Sequence, residues 1–318
     1  MRNLRNLGSQ ISVSFPPDKD GFIVRECPSP NCKRYFKIRP GTGLKGKNLP
    51  CHCPYCGHTS DHDRFLTKAQ VEYGRSVVMN QVTGALLKDL KSLEFNHPPK
   101  GAFGFGVSMK VTGKPTPVRR YHESKLETEV VCDRCGFRYT IYGVFGFCPD
   151  CAAHNSLQIL NKNLELVQKL LAVAETQEAS VAQPLIENAL EDCVSAFDGF
   201  GRETCRVFAS KADKPEKAAE IRFQNITAAR VSVREQFGVD FAATAEPADW
   251  KQILRGFQKR HLLAHKMGVI DEDYLSRTGD SQSLLGRKIS IDPAEVRELV
   301  AQLQSIGSEL YRLLENKQ

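Results

Sequence analysis

No run of apolar residues in this 318-residue chain reaches the roughly 18 that a membrane-spanning helix needs, so a helical membrane protein is excluded and no membrane partner is expected. Met1-Arg2-Asn3-Leu4-Arg5 is followed by no apolar core of the kind a secretory signal carries, and the expected compartment is the cytoplasm. Glycines crowd Gly101-Ala102-Phe103-Gly104-Phe105-Gly106, but the GxxxxGK spacing of a phosphate loop is missing and no helical pattern follows. A glycine-rich hairpin leading into residues 107–111 is expected there instead. His261 and His265 stand at i, i+4 without the glutamate of HExxH, which argues against a zinc protease.

Positive charge is scarce in the second half of the chain. Residues 157–318 hold 21 Lys+Arg against 24 Asp+Glu, whereas residues 1–156 hold 23 against 13. A polyanionic partner, RNA or another nucleic acid, would therefore face the first half. The plain alternative is that the lysines solubilise a region with a small core. The overall composition, 41% hydrophobic and 25% charged, is that of a soluble globular protein, and the length allows two or three small domains.

Of eleven cysteines, eight fall in four spaced pairs in the first half, a usage that in a cytosolic chain signals metal rather than disulfides. Cys27-Pro28-Ser29-Pro30-Asn31-Cys32 is followed twenty residues later by Cys53-Pro54-Tyr55-Cys56-Gly57. Two thiolate pairs, each on a tight turn, supply the four ligands of a closed structural zinc site. The first pair is wider than the usual spacing, and Cys51, His52 and His58 compete for a ligand position. The second set is sharper: Cys132-Asp133-Arg134-Cys135-Gly136 and Cys148-Pro149-Asp150-Cys151, twelve residues apart, resemble a zinc ribbon closely. Two structural Zn2+ ions are expected, with no catalytic metal. Lys33-Arg34-Tyr35-Phe36-Lys37-Ile38-Arg39 mixes cations with aromatics as a single-stranded nucleic acid would require, although aromatics covering a knuckle beneath a solvated charged face explain the same pattern. Cys193 and Cys205 lie in apolar helical stretches and read as buried thiols.

Between the two cysteine sets a helix is expected from Phe65 to Leu93, with Val71, Val78, Val82, Leu86 and Leu90 as its stripe and Asn96-His97-Pro98-Pro99 as its stop. Beyond Leu157 the pattern is helical. Leu160, Leu164, Val167 and Leu171 form one stripe; Ile186, Leu190, Cys193, Val194 and Phe197 a second; Ile221, Ile226, Ala229 and Val233 a rougher third. Trp250, Ile253, Leu254 and Phe257 lead a fourth helix that Gly268 is placed to end. A fifth starts at Asp292-Pro293-Ala294-Glu295, with Asp292 as cap. The expected fold is multidomain α+β: a flexible N-terminus (1–24), a first zinc ribbon (25–62), a helix and β-hairpin connector (63–128), a second ribbon (129–156) and an all-α helical bundle (157–318).

The fourth helix carries Lys259-Arg260-His261-Leu262-Leu263-Ala264-His265-Lys266-Met267-Gly268. Arg260, His261 and His265 put a fixed cation and two titratable imidazoles within about one and a half turns. A phosphate in the groove between Arg260 and His265 would meet all three. The bland reading is that the histidines favour the helix dipole and cap its last carbonyls while Arg260 pairs with a neighbouring acid.

Read as Arg-polar-x-x-x-His, the stretch resembles the signature of the HEPN superfamily, and the likeness runs on through Gly268-Val269-Ile270-Asp271 to Tyr274 and more loosely over 157–318. The resemblance implies a metal-independent endoribonuclease that leaves a 2′,3′-cyclic phosphate. It implies Arg260, His261 and His265 as catalytic residues and a homodimer whose motif helices face each other. A microbial stress or defence effector of this kind would be restrained by a regulatory or antitoxin protein. Two other readings stand beside it: a non-catalytic zinc-ribbon adaptor or nucleic-acid binder that uses the bundle to dimerise, and a zinc-ribbon transcriptional regulator with a duplex DNA ligand.

Overall fold

The computed structural model describes residues 2–8, 10–44, 50–97, 107–118 and 128–317. The chain divides into two compact units, Met1–Ala153 and His154–Gln318. It is broadly α+β, with small antiparallel sheets in the first unit and helices throughout the second. Among the described residues no helix is long and apolar enough to cross a membrane.

The first unit runs α1 (Arg2–Arg5), β1 (Ile23–Glu26), β2 (Tyr35–Ile38), β3 (Pro50–His52), β4 (Thr59–Asp61), α2 (Lys68–Lys91), β5 (Phe95–His97), β6 (Val107–Met109), β7 (Thr128–Val131) and β8 (Arg138–Ile141). β1 and β2 belong to the first cysteine set, and β7 and β8 to the second. They nevertheless form a single antiparallel sheet in the order β1-β2-β8-β7, joined through Lys37↔Thr140 and Ile38↔Tyr139. Phe36, Ile38, Val130, Tyr139 and Ile141 alternate onto one face and pack with Phe65, Phe137, Cys27, Cys53, Cys132 and Cys148. A ribbon of some thirty residues buries too little apolar area to stand by itself, and pooling two of them yields one adequate core.

The buried face of the connector helix departs from expectation. α2 starts at a capping box in which Thr67 accepts from the Gln70 amide and the Gln70 side chain accepts from the Thr67 amide. The expected stripe is not its buried face: Val71 is exposed, Val78, Val82, Leu86 and Leu90 are half-buried, and the buried residues are Gln70, Ser76, Ala85 and Asp89. The reason is that α2 serves backbone. Gln70 Nε2 donates to the Val24 carbonyl at 3.1 Å, and Asp89 accepts from the amides of Asn3 and Leu4 at 2.8 and 2.9 Å. The N-terminal stretch thus shares hydrogen bonds with α2, and Asp18 pairs with Lys37 at 2.6 Å. Asn96 and His97, expected to stop the helix, lie in β5, which pairs with β6 at Asn96↔Ser108 and His97↔Val107. The glycine-rich turn at 101–106 lies outside the described residues.

The second unit comprises α3 (Ser156–Ala174), α4 (Ala179–Val207), α5 (Pro215–Ala219), α6 (Ile226–Phe237), α7 (Pro247–Lys266), α8 (Glu272–Thr278) and α9 (Pro293–Asn316). The stripes of α3 and α4 are buried as the periodicity predicts, and they meet Ile253 and Phe257 of α7 and Val296, Leu299, Leu303, Ile306 and Leu310 of α9 in one core. Cys193 and Cys205 are buried there, and burial pushes the Cys193 thiol up to about 12. Asp292 caps α9 by accepting from the Ala294 amide at 2.9 Å, but Glu295 turns away from the cap to pair with Lys259.

Close approach of α4 to Phe223 requires a glycine. A Cβ on Gly201 would stand 2.5 Å from two ring carbons of Phe223, which is fully buried and edge-on to Phe197. Gly201→Ala should therefore overpack this core and cost about 1–3 kcal/mol despite the better helix propensity of alanine. Urea unfolding followed by far-UV circular dichroism measures it, and a variant as stable as wild type contradicts it.

Candidate active site and metal centres

The eight paired cysteines gather into two four-sulfur groups, Cys27, Cys32, Cys53, Cys56 and Cys132, Cys135, Cys148, Cys151, each with its sulfurs within 4.8 Å of one another. In the first, Cys27–Cys56 and Cys32–Cys53 are 3.7 and 3.8 Å apart; in the second, Cys132–Cys151 and Cys135–Cys148 are 3.7 and 3.6 Å apart. Zn–S bonds of about 2.3 Å in a regular tetrahedron place sulfurs about 3.8 Å apart, so these spacings fit a tetrahedral thiolate site and are far too long for disulfides. Both groups could hold a metal ion.

A repeated turn shapes both groups. The residue after the second cysteine of each pair has positive φ: Lys33 (51°), Gly57 (68°), Gly136 (75°) and Ala152 (58°). In the three narrow pairs that residue's amide donates to the carbonyl of the first cysteine, at 3.0 Å from Gly57 to Cys53, 2.8 Å from Gly136 to Cys132 and 3.0 Å from Ala152 to Cys148. In the wide pair the Lys33 amide donates to Ser29 instead, at 3.2 Å. The two extra residues are thus absorbed before the turn begins, and Cys27 still reaches the cluster. Cys51 is fully buried beside it, its thiol pushed up to about 12 mainly by burial, while His52 bonds Thr59 at 2.8 Å and His58 tilts against Phe65. None of these three belongs to the four-sulfur group.

In the second unit Arg260, His261 and His265 line one polar cavity of about 360 Å3. α7 brings all three from its last two turns, and the two imidazole centroids are 4.8 Å apart. Both histidines are exposed, whereas Arg260 is half-buried, with its Nε atom buried and without a hydrogen-bond partner among the described residues. Lys259, adjacent in sequence, points the other way and binds the Ser290 carbonyl at 3.1 Å and Glu295.

Sequence reasoning missed the rest of the lining: Gln224, Asn225, Phe257, Gln258, Asp273 and Arg277. Gln258 was accessible to it, because 258, 261 and 265 share one face of a helix. Gln224 and Asn225 arrive from the start of α6, where Asn225 caps the helix by accepting from the Ala228 amide at 3.1 Å, and no local pattern links them to α7. Asp273 and Arg277 come from α8, paired with each other at 3.0 Å.

A second small core holds the end of α7. Leu262, Ile270, Tyr274, Leu275 and Ile289 bury one another, and the Asp271 carboxylate caps α8 by accepting from the Tyr274 amide at 2.9 Å. The helix stops one residue earlier than Gly268 suggests, at Met267 with φ 52°, and Gly268 follows at φ 76°. The Gly268 amide then returns to the Leu262 carbonyl at 2.9 Å. Two successive left-handed residues turn the chain sharply, and Val269 pairs with Lys288 across an isolated bridge. This strap keeps His265 at a free helix end.

Comparison of the chain with protein-family models, with curated proteins and with solved structures found no match.

Proposed function

We propose that the protein is a metal-independent endoribonuclease of HEPN type, its second unit a helical bundle and its first unit held by two structural zinc ions. The observation that carries the reading is the single polar cavity that takes in Arg260, His261 and His265. A phosphodiester seated there would have an imidazole to take the proton of the 2′-hydroxyl and another to protonate the departing 5′-oxygen. The 2′-oxygen attacks phosphorus as the P–O5′ bond breaks, leaving a 2′,3′-cyclic phosphate and a 5′-hydroxyl. Arg260 would stabilise the charge on the phosphorane, and a half-buried guanidinium whose Nε has no hydrogen-bond partner among the described residues suits that task better than a structural ion pair.

The reading includes a homodimer. Met267, Val269 and Leu285 are exposed apolar residues on the strap beyond the cavity, with Met267 at 87% exposure, and a second copy covering them would bring two motif helices together. A cytoplasmic stress or defence effector with a regulatory or antitoxin partner follows from the toxicity of unrestrained RNA cleavage. One observation favours the non-catalytic adaptor: Asp273 lines the cavity and holds Arg277, so one cation there is already neutralised.

The test is to incubate the purified protein with mixed RNA in EDTA and map the fragment ends. Cyclic phosphates at new 3′ ends support the nuclease. Binding without cleavage supports the adaptor, and preference for duplex DNA supports a transcriptional regulator.

A further inference from the structure

The run from Lys33 to Arg39 splits in two in the folded chain. Phe36, Lys37 and Ile38 are buried, with Lys37 spent on Asp18, so half of the cation and aromatic mixture serves the core. What remains exposed is Lys33, Arg34 and Tyr35, while Arg39 is half-buried over the Phe22 ring. Neither Lys33 nor Arg34 pairs with a carboxylate among the described residues, and Tyr35 is 40% exposed.

The register that aligns Lys37 with Thr140 places Tyr142 opposite Tyr35, two residues further along each strand and on the same face. Tyr142 is 44% exposed. Arg39 donates its amide to Arg138 at 2.9 Å, so in this antiparallel pair the Tyr142 amide should meet the Tyr35 carbonyl directly. It does not. The Tyr55 hydroxyl sits in the ladder instead, accepting from the Tyr142 amide at 2.9 Å and donating to the Tyr35 carbonyl at 2.6 Å. Tyr55 comes from the knuckle of the first four-sulfur group, and the Arg34 guanidinium lies over its ring, 4.4 Å from the centroid.

The Tyr55 hydroxyl thus ties the backbone of Tyr35 to that of Tyr142 where the two cysteine sets share a sheet, with Arg34 over the Tyr55 ring and Lys33 next to Arg34 in sequence. Glu26 stands opposite Tyr35 on the outer strand, and its negative charge raises the pKa of the Tyr35 phenol. The Tyr35 and Tyr142 rings are both large apolar surfaces left open to solvent on one face of the sheet. An exposed ring offers a base a stacking surface, and a neighbouring cation not tied to a carboxylate offers its phosphate a partner.

We infer that the Arg34–Tyr35–Tyr55–Tyr142 surface of the first unit is a binding platform for single-stranded RNA, with bases stacked on Tyr35 and Tyr142 and the backbone running past Lys33 and Arg34. It deepens the proposed function, since it supplies the RNA-holding surface, but it stands on observations made wholly within the first unit. Duplex nucleic acid would meet the cations and leave the rings unused, because its bases are already stacked.

The test uses the full chain and a fluorescent 2′-O-methyl oligouridylate of about a dozen nucleotides, a length matched to such sites. Lacking a free 2′-hydroxyl, it cannot be cut by in-line attack, so binding is read independently of cleavage. Tyr35→Leu and Tyr142→Leu should each weaken binding about tenfold, while Tyr35→Phe and Tyr142→Phe stay within about twofold of wild type, because stacking needs the ring and not the hydroxyl. Arg34→Ala should weaken binding and flatten its dependence on salt. Both rings are solvent-facing, and unchanged metal content in the leucine variants verifies the fold. Leucine variants that bind like wild type, or a duplex of the same length that binds more tightly than the single strand, overturn the platform. If binding is lost in the leucine variants while no RNA is ever cleaved, the platform stands and the nuclease falls.

Discussion

Arg260→Ala and His265→Ala should each abolish RNA cleavage, by about 10²- to 10⁴-fold, and leave the helical unit folded. The structure separates the two effects. His265 is exposed at the end of α7, and Arg260 holds no ion pair among the described residues, so neither truncation strands a buried partner. The bland alternative required Arg260 to pair with an acid; the cation tied to acidic Glu295 is its neighbour Lys259. Loss of Arg260 should lower the rate more than substrate binding, because its charge matters most as the phosphorane forms. Loss of His265 removes a proton carrier, so higher pH should rescue only part of the activity. His261→Ala should weaken cleavage without ending it. The measurement is single-turnover cleavage of an end-labelled RNA, with circular dichroism on each variant. A His265 variant that cuts at the wild-type rate, or a wild type that needs added Mg2+ to cut at all, removes the assignment.

Elemental analysis should return two zinc ions per chain, and stripping them should unfold the first unit while the second stays helical. The two four-sulfur groups and the core of the first unit share their residues. Cys27, Cys53, Cys132 and Cys148 are buried in the same cluster as Phe36, Tyr139 and Ile141, so an empty site would leave two buried thiols facing apolar neighbours without an organising charge. Binding energies for structural zinc in small domains, about 10–16 kcal/mol, exceed what so small a core supplies by itself. Because the two ribbons share one sheet, Cys53→Ser and Cys148→Ser should each lower the melting temperature of the whole first unit and not of one half. Cys51→Ser should retain both ions, since that thiol lies outside the four-sulfur group. One ion per chain, or a Cys51 variant that loses one, would redraw the ligand set. Brief EDTA treatment should spare RNA cleavage, and slow loss on long chelation would report unfolding of the first unit.

Local pattern was sufficient wherever one stretch of chain carries the whole signal. The CxxC spacings already specify which sulfurs can converge, because a knuckle is a turn of a few residues with its own hydrogen bonds. The stripes of α3 and α4 read correctly because those helices bury apolar side chains in a common core. The same reasoning misread α2, whose buried face is Gln70, Ser76 and Asp89: it packs against the backbone of the N-terminal stretch, and backbone amides ask for polar partners.

What tertiary structure alone decided is which distant pieces share a surface. No sequence period reveals that β2 pairs with β8 across about a hundred residues, or that the Tyr55 hydroxyl stands in for a ladder bond between Tyr35 and Tyr142. The motif helix offered Arg260, His261 and His265 by spacing alone, yet the cavity they line is closed by Gln224 and Asn225 from the start of α6 and by Asp273 and Arg277 from α8. Helical periodicity states which residues share a face. Which neighbour that face meets depends on how the remaining helices bury their own stripes, and that is a property of the whole core.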